Sequence, residues 1–339
     1  MVFLIFALLV GTLIIVFATL IWLGSCLVGR HWGKQLALLS LPCFVGIYPA
    51  MVFVIAPFVL AHMLSNAGTR QQDLRLDINP RDFGCDFEEV TFSGQDGGQV
   101  SGWWMQGSPN SMTFIITHGL FRDRKEVTER GCRLNKIGSS VLVYDLRSHG
   151  KSEKAPITVG YKERFDVLGA VCFAHQKMSS ELVIMGVSMG AVATLMAAPE
   201  MNPPPSAIIS DSSFASLWDT VQQHSSVFLG GIGFPFNHVF VWNLTRLGKF
   251  SSDALDLPRV FSASKDWPPT LLLHGERDER ISIKSAEILL EALPTEKKQL
   301  TVFRDVGHGG AWESDPDRYL SIIEDFLDQH DVGLRRRTH

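Results

Sequence analysis

Leu182-Val183-Ile184-Met185-Gly186-Val187-Ser188-Met189-Gly190-Ala191-Val192-Ala193-Thr194-Leu195-Met196 joins a short apolar run to a helical pattern through the pentapeptide G-x-S-x-G. A buried-strand pattern leading straight into a helix through that pentapeptide is the sequence form of a nucleophile elbow. A serine hydroxyl attacks poorly unless it is thrust into a cleft beside a base. A tight strand-to-helix turn does this and crowds the backbone until only glycine fits at positions 186 and 190. Ser188 is therefore the candidate nucleophile.

Such a serine needs an acid and a base later in the chain, in the order Ser, Asp or Glu, His. Pro269-Thr270-Leu271-Leu272-Leu273 reads as a buried strand and continues into His274-Gly275-Glu276-Arg277-Asp278. That places Asp278 in a loop beyond a strand's carboxyl end, where α/β sheets carry their sites. Gln299 to Phe303 alternates like a strand and leads into Val306-Gly307-His308-Gly309-Gly310, so His308 stands in a Gly-flanked loop. Asp211, after the strand pattern Ala207 to Ser210, is the rival acid. The oxyanion would be held by the Met189 amide and by a second amide, Leu120, in the loop His118-Gly119-Leu120-Phe121 that follows the strand pattern Thr113 to Thr117. Gly119 lets that loop turn.

These stretches, with Tyr144-Asp145-Leu146-Arg147-Ser148-His149-Gly150-Lys151-Ser152 and Trp312, resemble the α/β-hydrolase family in its serine-nucleophile branch. The resemblance covers roughly residues 86 to 330. It implies an α/β fold with a mostly parallel central sheet, helices on both faces and a small lid. It also implies a structural role for the Asp145 to Ser152 loop, leaving Asp145 and His149 outside the chemistry. Family members commonly carry Gly where Ser148 stands.

Length and composition frame the rest. The 339 residues are 46% hydrophobic, but unevenly so: residues 1 to 66 hold no Asp or Glu and only Arg30 and Lys34 as fixed cations. A membrane-spanning helix needs about 20 predominantly apolar residues. The runs at about 2–29 and 36–64 both exceed this, and the expectation is an N-terminal transmembrane helical hairpin over residues 1–66. Pro42, Gly46, Pro49 and Pro57 interrupt the second run, so one span with a second, partly interfacial helix is the alternative. Residues 67–85 are polar and read as a linker, 86–332 as the hydrolase domain with a lid insertion at about 212–267, and 333–339 as a basic tail. Arg30 and Lys34 at the hairpin turn, set against Arg70, Arg75 and Arg81 after it, leave the side of the membrane open.

The acidic balance after residue 66 argues against nucleic acid as a partner. No metal-ligand cluster, phosphate-binding loop or dinucleotide fingerprint stands in the sequence, so no cofactor or metal is expected. Cys85, Cys132 and Cys172 are irregularly spaced and read as free thiols. Asn243-Leu244-Thr245 is a glycosylation sequon should this face be lumenal.

The expected activity is that of a membrane-anchored serine hydrolase acting on carboxylic esters or thioesters, with lipid or other acyl substrates. Two alternatives stand beside it: a serine peptidase of the same fold, and a catalytically silent domain serving as an interaction module. Phe214, Trp218, Phe228, Phe234, Phe236, Phe240 and Trp242 in the insertion fit either ordinary helix packing or an apolar lid over an acyl chain.

Overall fold

The computed structural model of the chain describes residues 50–333, apart from 110, 179–180, 229, 232 and 265, together with the single residue 18. Among these, eight strands form one sheet in the order β1-β2-β4-β3-β5-β6-β7-β8. β1 (Glu88–Ser93) and β2 (Gln99–Met105) make an antiparallel hairpin, and β2 also runs antiparallel to β4 (Ser140–Tyr144). From β4 on the sheet is parallel: β3 (Thr113–Thr117), β5 (Leu182–Val187), β6 (Ala207–Asp211), β7 (Thr270–Gly275) and β8 (Lys298–Phe303).

The central strands are apolar at successive positions because helices cover both faces. Phe114 and Ile116 of β3, Val141 and Val143 of β4 and Met185 of β5 face one cluster with Cys132, Leu134, Tyr319 and Ile323. These last four lie on α2 (Thr128–Lys136) and α8 (Pro316–Gln329), labels that follow the longer helices in chain order after α1 (Ala56–Ser65). The alternate side chains Ile115, Leu142 and Ile184 turn to the opposite face, against Val167, Ala170 and Ala193 of α3 (Arg164–Lys177) and α4 (Met189–Ala197). Two further helices, α5 (Leu217–Phe228) and α6 (Phe236–Gly248), stand between β6 and β7, within the expected insertion. α7 (Ile283–Ala292) links β7 to β8. β5 sits centrally, and its carboxyl end delivers Ser188.

The first predicted span, residue 18 apart, and most of the second lie outside the described residues. From Ala50 the chain is helical, π-helical over Met51–Ile55 and then α-helical through Ser65. No helix among the described residues is long and apolar enough to cross a membrane.

The polar stretch 67–85 is not the free linker its composition suggests. The Thr69 hydroxyl donates to the Arg122 carbonyl at 3.0 Å and accepts from the Gly150 amide at 2.8 Å. The Lys125 ammonium donates to the Asp73 and Leu76 carbonyls at 2.6 and 3.0 Å, and Asp73 pairs with Arg70 and Arg122. Polar residues here fasten the backbone to the domain; polarity alone does not tell that from solvation. The thiol expectation is corrected as well. Cys85, just before β1, and Cys132 on α2 are joined, with Cα atoms 5.9 Å apart, inside the disulfide range. Cys172 remains free and exposed. Asn243 of the sequon is buried, its amide donating to the Val239 carbonyl at 2.7 Å within α6.

Candidate active site

The elbow is built by contacts that leave no room for side chains. A Cβ added at Gly186 would collide with the Gly190 carbonyl, and one at Gly190 would lie 2.5 Å from the His118 carbonyl and 2.7 Å from that of Thr117. Ser188 itself sits at φ 53°, ψ −117°, a conformation that costs a non-glycine residue about 1–3 kcal/mol. Its amide is tied to the Asp211 carbonyl at 2.8 Å, and its carbonyl accepts from Val192 at 3.0 Å as α4 begins. The strained turn is thus clamped from both sides, with Ser188 half-buried at the head of a helix.

The structure brings Ser188, His308 and Asp278 into one line. The Ser188 hydroxyl lies 2.8 Å from His308 Nε2, and His308 Nδ1 lies 2.6 Å from Asp278 Oδ2. A carboxylate only accepts, so Nδ1 carries the proton and Nε2 is left as acceptor for the serine hydroxyl. The other carboxylate oxygen of Asp278 accepts from the Arg280 and Ile281 amides, each at 2.9 Å. Burial alone would raise the Asp278 carboxyl. The bonds and charge of His308, the Ile281 amide and the nearby His274 outweigh it and hold the group below the usual carboxylate range. His274 Nε2 donates to the Ile281 carbonyl at 2.9 Å, closing the turn that presents these amides.

Asp211, the rival acid, is fully buried and serves another network. It accepts from the Tyr319 hydroxyl and the Ser212 hydroxyl, both at 2.9 Å, and pairs with buried Arg130 at 3.8 Å. Burial pushes its carboxyl above the ordinary range even with Arg130 beside it. Ser212 in turn accepts from the Gly309 amide at 3.2 Å, so this network props the loop that carries His308.

The loop after β3 lies against the nucleophile: a Cβ at Gly119 would stand 3.5 Å from the Ser188 Cβ. The Gly119 amide is held by Glu126 Oε2 at 2.7 Å, and Glu126 is fixed by Arg122 at 2.8 Å. The Met189 amide is the first of α4 and has no intrahelical acceptor. The Leu120 amide meets no acceptor among the described residues either. The resemblance left Asp145 and His149 outside the chemistry, and both are engaged elsewhere. Asp145 pairs with buried Arg124 at 2.7 Å and accepts from the Lys151 amide at 2.8 Å. His149 Nε2 accepts from the Phe121 amide at 3.3 Å, and Nδ1 donates to the Arg147 carbonyl at 2.9 Å. Ser148 adopts φ 65°, the left-handed region where glycine is favoured.

The insertion touches the site through polar contacts that its aromatic content does not announce. The Gln223 side chain on α5 donates to the Glu279 carbonyl at 3.1 Å and accepts from the Ser282 amide at 2.9 Å, bracketing the turn that holds Asp278. Asn237 on α6 donates to the Ser225 hydroxyl of α5 at 2.9 Å. On the same helix as Gln223, burial pushes the His224 imidazole down, and the His308 ring adds to the shift. Among the expected lid aromatics, Phe214 and Phe236 are buried in the fold, whereas Phe234 and Trp242 face outward. Glu126, Ser212 and Gln223 were not foreseen from the sequence, because each acts through a partner distant in the chain.

A family model described as the prolyl oligopeptidase family matches residues 158–331. An uncharacterized protein of Bacillus subtilis is 23% identical over 235 residues, covering 68% of this chain and 76% of that protein. An uncharacterized membrane protein of Saccharomyces cerevisiae is 24% identical over 262 residues, covering 73% and 82%. Among solved structures, an esterase of Pyrococcus furiosus superposes with a TM-score of 0.60 at 24% identity, covering 75% of this chain and 94% of that one. An esterase of Exiguobacterium antarcticum gives 0.52 at 18% identity, covering 71% and 100%. At these identities the structural likeness establishes the α/β-hydrolase fold.

Proposed function

The chain belongs to the prolyl oligopeptidase family, and on that footing we propose that it is a membrane-anchored serine hydrolase cleaving carboxylic esters or thioesters. The observation that carries the reading is the unbroken line from Ser188 Oγ through His308 to Asp278, at 2.8 and 2.6 Å. Ser188 Oγ attacks the substrate carbonyl as its proton passes to His308 Nε2. Asp278 stabilises the imidazolium, and the Met189 and Leu120 amides hold the oxyanion. Collapse expels the alcohol or thiol, which takes the proton from His308, and water repeats the sequence to free the acid. Each oxyanion donor is worth about 3 kcal/mol of barrier. No step needs a metal or cofactor.

The anchoring rests on residues 1–66, which lack carboxylates and hold two basic residues. Residues 67–85, bonded along the domain, would keep the catalytic cleft beside the bilayer rather than on a long tether. An enzyme so placed meets lipids and acylated proteins at high local concentration, which favours medium or long acyl groups.

The family match supports a second reading, a peptidase, since the same groups cut amides. The experiment that decides is a panel of acyl esters of increasing chain length, acyl thioesters and aminoacyl amides. It is run on the full-length protein in bilayers with Ser188→Ala as control. Ester or thioester turnover that depends on Ser188 and rises with chain length supports the proposal. Amide cleavage alone selects the peptidase. Folded protein inactive on every substrate returns the silent interaction module.

A further inference from the structure

The helix over residues 51–65 presents two unlike faces. Val52, Pro57, Ala61 and Ser65 are buried, and Ala61 shares a cluster with Val241 and Leu244 of α6. The outward side carries Val54 (55% exposed), Ile55, Phe58, Val59 and Met63, with His62 as its one polar member. On a surface helix that side belongs to charged and polar residues. A helix apolar all round belongs inside a protein or a bilayer. The packed partner α6 has an outward stripe at four-residue spacing. It runs from Phe234 (80% exposed), just ahead of the helix, through His238 and Trp242 to Arg246, whose guanidinium lies 5.3 Å over the Trp242 ring. Tryptophan and arginine together are the residues of the membrane–water boundary: the ring is amphipathic and the arginine stem reaches up to keep its charge wet.

What covers these faces follows from the chain that leads into them. The 49 residues ahead of Ala50 contain no carboxylate and only Arg30 and Lys34 as fixed cations, so from Leu36 a run free of Asp, Glu, Lys and Arg, interrupted by Pro42, Gly46 and Pro49, leads into the exposed stripe. Building on the membrane-anchored hydrolase reading, we infer that the outer faces of the 51–65 helix and of α6 form one bilayer-facing surface. The 51–65 helix lies in hydrocarbon and α6 at the level of the lipid headgroups. The insertion between β6 and β7 is then seated on the membrane. Through Asn237–Ser225 and Gln223 that seat connects to the turn holding Asp278, so the catalytic acid is held by a unit that rests on the bilayer.

The test uses the full-length protein in vesicles of phosphatidylcholine and phosphatidylglycerol, with Cys26, Cys43 and Cys172 replaced by alanine. Single cysteines introduced as Phe58→Cys, Met63→Cys and Trp242→Cys carry an environment-sensitive fluorophore. Ile137→Cys, 63% exposed at the end of α2 on the opposite face of the sheet, is the aqueous control. Circular dichroism melting confirms that each variant is folded. Labels at 58 and 63 are expected to be quenched at least five-fold more strongly by lipids spin-labelled deep in the acyl chain than by aqueous iodide. The label at 242 should be quenched best by lipids labelled near the headgroup, and that at 137 by iodide alone. Iodide quenching at 58 and 63 overturns the proposal. Protection from both quenchers does so too, since residues 1–49 or a second copy would then cover the helix. Lipid contact at 58 with only iodide at 242 removes α6 from the surface and refutes it. Ester turnover of the same samples is recorded alongside, so a failed surface with intact Ser188-dependent turnover leaves the hydrolase reading standing.

Discussion

Replacing Asp278 with asparagine separates the two candidate acids, and the local bonding fixes the outcome. Oδ1 of Asp278 receives two amide donors, from Arg280 and Ile281 at 2.9 Å each. An asparagine must keep its carbonyl oxygen there, because turning its NH2 toward two N–H groups would leave three donors facing one another. The NH2 therefore points at His308 Nδ1, which must become an acceptor. The proton moves to Nε2, where it can no longer accept from Ser188. The variant also loses the carboxylate that stabilises the imidazolium. Opposite charges about 4 Å apart at an effective dielectric of about 20 attract by about 4 kcal/mol, or roughly three decades of rate. With the tautomer wrong as well, kcat should fall about 10³- to 10⁴-fold. Asp211→Asn behaves otherwise. It strips the counter-charge from buried Arg130, which should cost about 3 kcal/mol of stability, while kcat of the folded fraction falls less than about ten-fold. The assay is steady-state hydrolysis of a chromogenic acyl ester, with thermal melting of each variant to normalise for folded protein. An Asp278→Asn enzyme retaining a tenth of wild-type kcat refutes the reasoning. So does a stable Asp211→Asn enzyme that loses as much as Asp278→Asn.

Gly190→Ala should lower stability by about 1–3 kcal/mol, at the upper end of ordinary overpacking because its Cβ meets backbone carbonyls; urea unfolding measures it, and a shift below 0.5 kcal/mol contradicts the elbow geometry. Gln223→Ala releases both ends of the bracket on the Asp278 turn; kcat should fall about ten-fold with KM unchanged, and a rise in KM alone would mean that Gln223 contacts substrate instead. Burial, helped by the neighbouring His118, pushes His149 down to about 3, whereas an unfolded histidine titrates near 6.5. The unfolded chain therefore binds the extra proton: this contribution to stability is complete above pH 6.5 and shrinks as pH falls, by about 2 kcal/mol at pH 5. Urea midpoints at pH 7 and 5 should show that loss in wild type and a flatter profile in His149→Gln, and equal slopes would exclude His149 as the cause.

The sheet is legible from sequence wherever one strand covers its own pattern. Leu182 to Val187 is apolar throughout because helices pack on both faces, and the glycines at 186 and 190 announce the elbow because backbone contacts forbid a Cβ there. The acid was less legible. Asp211 ends β6 and Asp278 follows β7, and only long-range bonding, Tyr319 and Arg130 to one and His308 to the other, tells them apart. Contacts between residues far apart in the chain leave no local signature. The polar character of 67–85 reads as a linker, yet Lys125 and Thr69 use that polarity to pin it down. Cys85 and Cys132 meet only because the chain folds residue 85 back onto α2. Nothing local in the sequence marks Gln223 or Glu126, whose roles lie in the turns they hold. The aromatic count of the insertion fitted either packing or a lid and does not tell which rings turn inward: Phe214 and Phe236 are buried, whereas Phe234 and Trp242 face outward.

The central claim is that Ser188 is an activated nucleophile, and active-site labelling tests it most directly. Full-length wild type in bilayers, treated with a fluorophosphonate, should acquire one covalent adduct, and digestion followed by mass spectrometry should place it on Ser188. Ser188→Ala should remain unlabelled, and Asp278→Asn should label about a thousand-fold more slowly. Folded wild-type protein that takes up no label, or an adduct that persists in Ser188→Ala, contradicts the account.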